Sequence, residues 1–285
     1  MRFLGRAALA ALSLGAYSLY EPYRYRLMTH RLEVPASVPE IKVLHLSDLH
    51  LKQRDRRLIT FVSELSSITN IDLVLATGDL IEDNSGIEPL IDCFSTLSAR
   101  WGCYYVLGSH DYHQSAFTSY AKYFTGRKRP LAAPAAATNV LETGLAKHGW
   151  KVLTNSSVTV ATPEGKLKLA GIDDPYLGRH DASVIKRDSD DTLAIGLVHS
   201  PDVVSEWFLA GFDLLLAGHT HAGQVRAPFY GALVTNCLLP AGLAGGPHRI
   251  GNGWLHVSPG LGTGKFSPIR FNCLPEATVL ELVHR

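Results

Sequence analysis

Aspartates and histidines stand together at the ends of apolar runs in this chain. Asp48 and His50 close IKVLHLS, Asp79 closes DLVLATG, His110 and Asp111 follow CYYVLGS, His199 closes TLAIGLV, and His219 and His221 follow DLLLAG. Carboxylates and imidazoles gathered at strand ends are what a two-metal hydrolytic site needs. In an extended segment, residues i and i+2 share a face, so Asp48 and His50 can converge on one ion. The same holds for His219 and His221, where Gly218 permits close approach. The carboxylate of Asp79 has lone pairs enough to bridge two cations, although the same residue would serve as a helix cap. His110 beside Asp111 is an orientable, protonatable group. His199 alone reads more readily as a structural hydrogen-bonder than as a ligand; it is the ordered set that points to metal chemistry.

The runs that position these residues are apolar and rich in branched side chains, and they alternate with helical patterns over Arg54–Ile68, Ile87–Ala99, Gly144–Trp150 and Pro201–Ala210. This predicts an α/β fold with a sheet buried on both faces in the first half. Short strands follow in SVTVAT, KLKLAG, WLHVSPG and ATVLELV, with a turn at Gly165. Residues 112–139, rich in Pro and Ala and carrying Lys122, Arg127, Lys128 and Arg129, break the rhythm. They read as a lid or specificity loop, as does the Gly-rich stretch Leu238–Gly253.

The 285 residues, 46% hydrophobic, suffice for one sizeable core. A net charge of +1 and the lack of an extended basic-aromatic surface argue against a nucleic-acid partner and against a nuclease. Cys93, Cys103, Cys237 and Cys273 form no C-x-x-C pair and read as free thiols. Arg2 and Arg6 precede an apolar stretch, Ala7–Tyr20, which reads as an uncleaved N-terminal membrane anchor in preference to a cleaved signal-like segment, and hence predicts a membrane-associated protein. Residues 1–20 are therefore assigned to the anchor, 21–40 to a Pro-containing linker and 41–285 to the catalytic domain. The sequence carries no signal of oligomeric state.

The order D-x-H, G-D, G-x-H-D, H, G-H-x-H resembles the calcineurin-like metallophosphoesterase superfamily, from about residue 41 to the C-terminus. The stretches GIDDPYLGRHD, AGHTHAGQVRAPFYGALVTNC and GLGTGKFSPIRFNCLPEATVLEL are similar to one bacterial branch with an N-terminal membrane segment. The resemblance implies a β-sandwich flanked by helices in α-β-β-α layers. It also implies two divalent ions (Mn, Fe or Zn) holding a bridging hydroxide that attacks a phosphoester. One ion would take Asp48, His50, Asp79 and His221; the other would share Asp79 and add His199, His219 and residue 109. His110, oriented by Asp111, would face the phosphoryl group. The superfamily usually has Asn at 109, where this chain has Ser109, a poorer donor on a shorter stem. Ala222 departs from the more usual glycine of G-H-T-H-G and needs a negative φ or some strain. The expected substrate is a phosphorylated small molecule or lipid, including a lipid-linked or nucleotide-sugar phosphate by analogy with UDP-diacylglucosamine hydrolases. The alternative, suggested by Ser109, is a catalytically weak metal-binding scaffold that binds phosphorylated ligands at the membrane.

Overall fold

The computed structural model describes residues 2–114 and 135–285. Two six-stranded sheets pack face to face. The first has the order β1-β14-β2-β3-β4-β5 and comprises β1 (Arg26–Val34), β2 (Ile41–Leu46), β3 (Leu73–Thr77), β4 (Cys103–Val106), β5 (Trp150–Val152) and β14 (Glu276–His284). The second has the order β12-β13-β9-β8-β7-β6. It comprises β6 (Ser156–Thr162), β7 (Gly165–Gly171), β8 (Asp191–Leu197), β9 (Leu214–Ala217), β12 (Gly246–Ile250) and β13 (Gly253–Val257). A small hairpin, β10 (Arg226–Ala227) with β11 (Gly231–Ala232), stands apart.

Side-chain alternation along the strands builds three apolar layers. Val43, Leu73, Leu75 and Tyr104 of the first sheet meet Leu169, Ile195, Leu214 and Leu216 of the second. The opposite face of the first sheet (Leu44, Val74, Ala76, Tyr105) packs on Leu58 and Val62 of α2 (Arg56–Glu64), Leu90 and Phe94 of α3 (Ile87–Ser95), and Leu141 and Leu145 of α5 (Thr138–Lys147). The outer face of the second sheet (Ala194, Leu215, Leu255) meets Trp207 of α6 (Val204–Leu209). These are the expected α-β-β-α layers. β2, β3 and β4 run parallel, as do β8 and β9, so their C-terminal ends share an edge of each sheet. The loops at those ends carry the residues singled out by the sequence, and α4 (Ser109–Tyr112) is the one-turn helix that follows β4.

The helical stretches stand near their expected places, with one shift. Trp150 belongs to β5, so the helix before it starts earlier, at Thr138, and ends at Lys147. Leu238–Gly253 is not one loop: it includes a short helical turn and β12, antiparallel to β13. Most of the Pro/Ala-rich stretch, with Lys122, Arg127, Lys128 and Arg129, lies outside the described residues. All four cysteines are free.

The N-terminal segment corrects an expectation. Ala7–Tyr20 lies within α1 (Arg2–Tyr20), but no helix among the described residues is long and apolar enough to cross a membrane. Two arginines in its first turns and the Ser and Tyr residues that interrupt the rest dilute the apolar character that a span of about 20 residues requires. The anchor, and the membrane association inferred from it, are therefore not supported. Residues 21–40, read as a linker, contain β1, which pairs in parallel with β14 over its whole length. Thr29, Arg31 and Glu33 point outward, as suits an edge strand, while Leu32 and Val34 are buried. Glu21, fully buried, accepts from the amides of Asn272 (3.0 Å) and Cys273, and Arg270 N donates to Ser18 O at 3.0 Å. Glu21→Ala leaves the buried Cys273 amide without an acceptor, at about 1–3 kcal/mol. Urea unfolding should show a single transition shifted to lower denaturant; an unchanged midpoint would mean that this segment is not part of the folded unit.

Candidate metal centre

The loop after β2 brings Asp48 and His50 together, both buried and both in the left-handed backbone region (φ 48° and 44°). Asp79 (φ 49°), His219 (69°), His221 (47°) and Ala222 (51°) share that conformation. Each such non-glycine residue carries strain of roughly 1–2 kcal/mol, which surrounding contacts must hold. Ala222 therefore takes the strained option rather than a negative φ. The packing also demands glycine nearby. A Cβ on Gly108 would come within 2.4 Å of Asp79 Oδ1 and 2.8 Å of His199 Cδ2, and one on Gly218 within 2.3 Å of Asp48 Oδ2.

Three overlapping groups of donor atoms result, each within 4.8 Å internally: Asp48, His50 and His221; His50, Asp79 and His110; Asp48, Asp79 and His199. Asp79 Oδ2 lies 3.6 Å from His50 Nε2 and 3.3 Å from His199 Nε2. His221 Nε2 is 3.1 Å from His50 Nε2 and 3.5 Å from Asp48 Oδ1. The structure thus gathers Asp48, His50, Asp79, His110, His199 and His221. His219 falls outside these groups. The His219 ring sits 5.1 Å from that of His199, with Nε2 3.2 Å from Asn236 O, and Ser109 opens α4, half-buried.

Hydrogen bonds orient the rings. His199 Nδ1 donates to Thr77 O at 2.7 Å, which directs the buried Nε2 toward Asp79 Oδ2, 3.3 Å away. His50 Nδ1 is 2.8 Å from Glu82 Oε2, leaving its Nε2 toward His221 and Asp79. Such outer partners fix the tautomer of a metal-binding imidazole. Burial, followed by the charges of His50 and Arg270, holds His221 well below its usual pKa, so it stays neutral as a ligand must. Burial opposes charge on His199, yet Asp79, Asp48 and Asp174 raise it well above its usual value; burial likewise opposes the Asp79 charge, but His199 and His110 hold that carboxyl well below the usual range. Without an ion, a proton on His199 thus stands where a cation would neutralise Asp79. Pre-set tautomers and a buried carboxylate shared between two donor groups fit divalent metal.

Several residues here had not been singled out. Glu82, fully buried, touches His50 and lies 3.6 Å from His110 Nδ1; its only sequence signal was its place three residues after Asp79. Asp111 does not show the expected contact with the His110 ring. Its Oδ1 accepts from Leu80 N (2.8 Å) and Ile81 N (3.1 Å), and its Oδ2 from Gly108 N (2.9 Å), so it ties the β3 and β4 loops together. Buried Arg270 holds the carbonyls of Pro259, Gly260 and Gly262 and reaches within 3.3 Å of His221 Nδ1. Asp174 is fully buried, with Oδ2 unpartnered.

Comparison with known proteins agrees with this geometry. A family model described as calcineurin-like phosphoesterase matches residues 41–223. The chain is 28% identical to the metallophosphoesterase YkuE of Bacillus subtilis, over 98% of this chain and 94% of that one. It is 30% identical to the phosphodiesterase YaeI of Escherichia coli, over 99% and 98%. It is 26% identical to the UDP-2,3-diacylglucosamine pyrophosphatase LpxG of Chlamydia trachomatis, over 86% and 84%.

The electrostatics predict a pH effect in metal-free protein. Burial, with Asp79 adding to it, pushes Asp174 up to about 7 from 3.8. A carboxyl whose pKa is raised by folding binds its proton more tightly in the native state, so it favours folding at low pH. That contribution is lost as pH rises from about 4 to about 7. Asp174→Asn should match wild type in stability near pH 4 and exceed it at pH 8, by a few kcal/mol at most. Chemical denaturation in chelator at the two pH values tests this; an equal difference at both would refute the assignment.

Proposed function

This chain belongs to the calcineurin-like phosphoesterase family, and from that premise we propose that it is a phosphoester hydrolase working through a dinuclear metal centre. Asp48, His50, Asp79 and His221 would hold one ion; Asp79, His199, His219 and Ser109 the other. The observation that carries this reading is Asp79, a buried carboxylate with histidine nitrogens of two donor groups at 3.3 and 3.6 Å. When bound, the ions supply Lewis acidity and lower the pKa of water. The chain's own residues do the rest. Glu82 keeps Nε2 of His50 directed inward, the Thr77 carbonyl does the same for His199, and Asp111 fixes the turn from which His110 projects. We assign His110 to the phosphoryl group, where it stabilises developing charge or protonates the leaving alkoxide. Asp111 acts as a positioning residue rather than as the direct orienter of the imidazole.

The substrate class we favour is a phosphorylated small molecule or lipid, with a nucleotide-sugar diphosphate as the first to assay; similarity to the chlamydial pyrophosphatase supports this choice. Full-length protein with Mn²⁺, given bis-p-nitrophenyl phosphate and a UDP-linked acylated sugar, should turn over at least one of them, and chelator should abolish the reaction. His110→Ala should lower kcat roughly 10²–10⁴-fold with metal content unchanged. Turnover indifferent to His110→Ala would remove its catalytic role.

A second reading, a metal-binding scaffold of weak activity that binds phosphorylated ligands, is motivated by Ser109. Ser109→Asn puts a carbonyl oxygen on a longer stem and should tighten the second ion. If wild type binds one ion without turnover and Ser109→Asn gains both a second ion and activity, the scaffold reading holds. If affinity and rate do not change, position 109 is not a ligand.

A further inference from the structure

The space between the two sheets ends in another polar cluster. His30 on β1, His256 on β13 and Glu276 on β14 each place a ligand atom within 4.8 Å of the other two. His256 and Glu276 are buried; His30 is half-buried on the edge strand. Glu276 Oε2 is held by Arg26, 2.9 Å from Nε and 2.7 Å from Nη2. Its Oε1 accepts from Thr278 Oγ1 at 3.0 Å and lies 4.0 Å from His30 Nε2. A cavity of about 400 Å³ is lined by His30 and Glu276, together with Met28, Arg26 and Cys273.

Hydrogen-bond direction assigns the free nitrogen of His256. Ser47 Oγ donates to Asp48 Oδ2 at 2.6 Å, and Thr77 Oγ1 donates to Ser47 Oγ at 2.7 Å. Thr77 Oγ1 has then spent its proton, so it accepts from His45 Nε2 at 2.9 Å. A neutral imidazole with its proton on Nε2 has its lone pair on Nδ1. His45 Nδ1 therefore accepts from His256 Nδ1, 2.8 Å away. His256 is left with a lone pair on Nε2, and that atom is buried with no hydrogen-bond partner. Burial keeps both rings neutral, lowering His45 to about 3 and His256 well below its usual range. A buried, unpartnered acceptor is rare in native structures and calls for an explanation.

We propose that His30, His256 and Glu276 form a further divalent-cation site, separate from the centre at Asp79. Two imidazoles and a carboxylate, with a cavity beside His30 and Glu276 for water, suit zinc best. Arg26 occupies one oxygen of Glu276 and leaves the other available. An ion on His256 Nε2 pins the proton of that ring on Nδ1. This fixes the direction of the hydrogen-bond chain through His45, Thr77 and Ser47 to Asp48, so the two sites are connected through protein. The site itself does not depend on the catalytic reading; only the connection does.

The test is zinc stoichiometry on the full-length chain, stripped with chelator, dialysed against Zn²⁺ and measured by elemental mass spectrometry. The background variant Asp79→Asn/His221→Gln disables the dinuclear centre. It should retain one tightly held zinc, and adding His30→Gln or Glu276→Gln should remove it, with thermal melts confirming that each variant is folded. Cobalt in place of zinc should give a visible band in the background variant that either added substitution abolishes. If the background variant does not fold, wild type is compared directly with Glu276→Gln, and one fewer ion is expected. A background variant that binds no zinc, or whose zinc survives both added substitutions, overturns the proposal. Hydrolysis that survives in the background variant would count against the catalytic reading and not against this site.

Discussion

The buried carboxylate of Asp79 is the constraint on which the site depends. Taking an ionised carboxylate out of water costs several kcal/mol unless charge of the opposite sign stands beside it. Here the opposite charge can come only from imidazoles that carry a proton or from cations that replace it. His199 Nε2 and His50 Nε2 close on the same oxygen, Oδ2, at 3.3 and 3.6 Å, while Oδ1 takes the amide of His110 at 2.8 Å. The amide contact joins the loop after β3 to the loop after β4, so the charge that needs neutralising also sets the position of His110. Asp111 reinforces the same junction from the other side, through the amides of Leu80, Ile81 and Gly108.

The price of this convergence is backbone strain. Asp48, His50, Asp79, His219 and His221 lie in the left-handed region, and short strands that end abruptly force the turn. Two glycines make the geometry feasible, Gly108 against Asp79 and Gly218 against Asp48. Strain distributed over the ligands of a site persists when the surrounding contacts over-determine them. The sandwich core supplies that rigidity through layers of Leu, Val and Ile on both faces of the first sheet.

Much of the fold was legible because buried parallel strands leave near-continuous apolar runs, and the residues that end those runs announced the candidate site. Asp48, His50, Asp79, His110, His199 and His221 were found that way and do converge. What escaped lacks such a signal. Glu82 and Asp174 each stand beside a second acidic residue, Asp83 and Asp173, and their importance comes from burial, which sequence does not display. Arg270 looks like a surface cation but is fully buried and holds three carbonyls. The contacts of Asp111 go to backbone amides, and backbone partners leave no trace in side-chain spacing. At the N-terminus, local hydrophobicity suggested a membrane span that α1 is not apolar enough to make. Pro22, Pro35 and Pro39 made the segment that holds β1 read as a linker, and His30 went unnoticed with it.

The central claim is that Asp79 is shared between two ions. A crystal of the full-length protein soaked in Mn²⁺, with anomalous scattering measured near the manganese edge, tests it most directly. The account predicts two peaks about 3.5–4 Å apart, one on each side of the Asp79 carboxylate. A single peak, or two peaks that do not share Asp79, would contradict it.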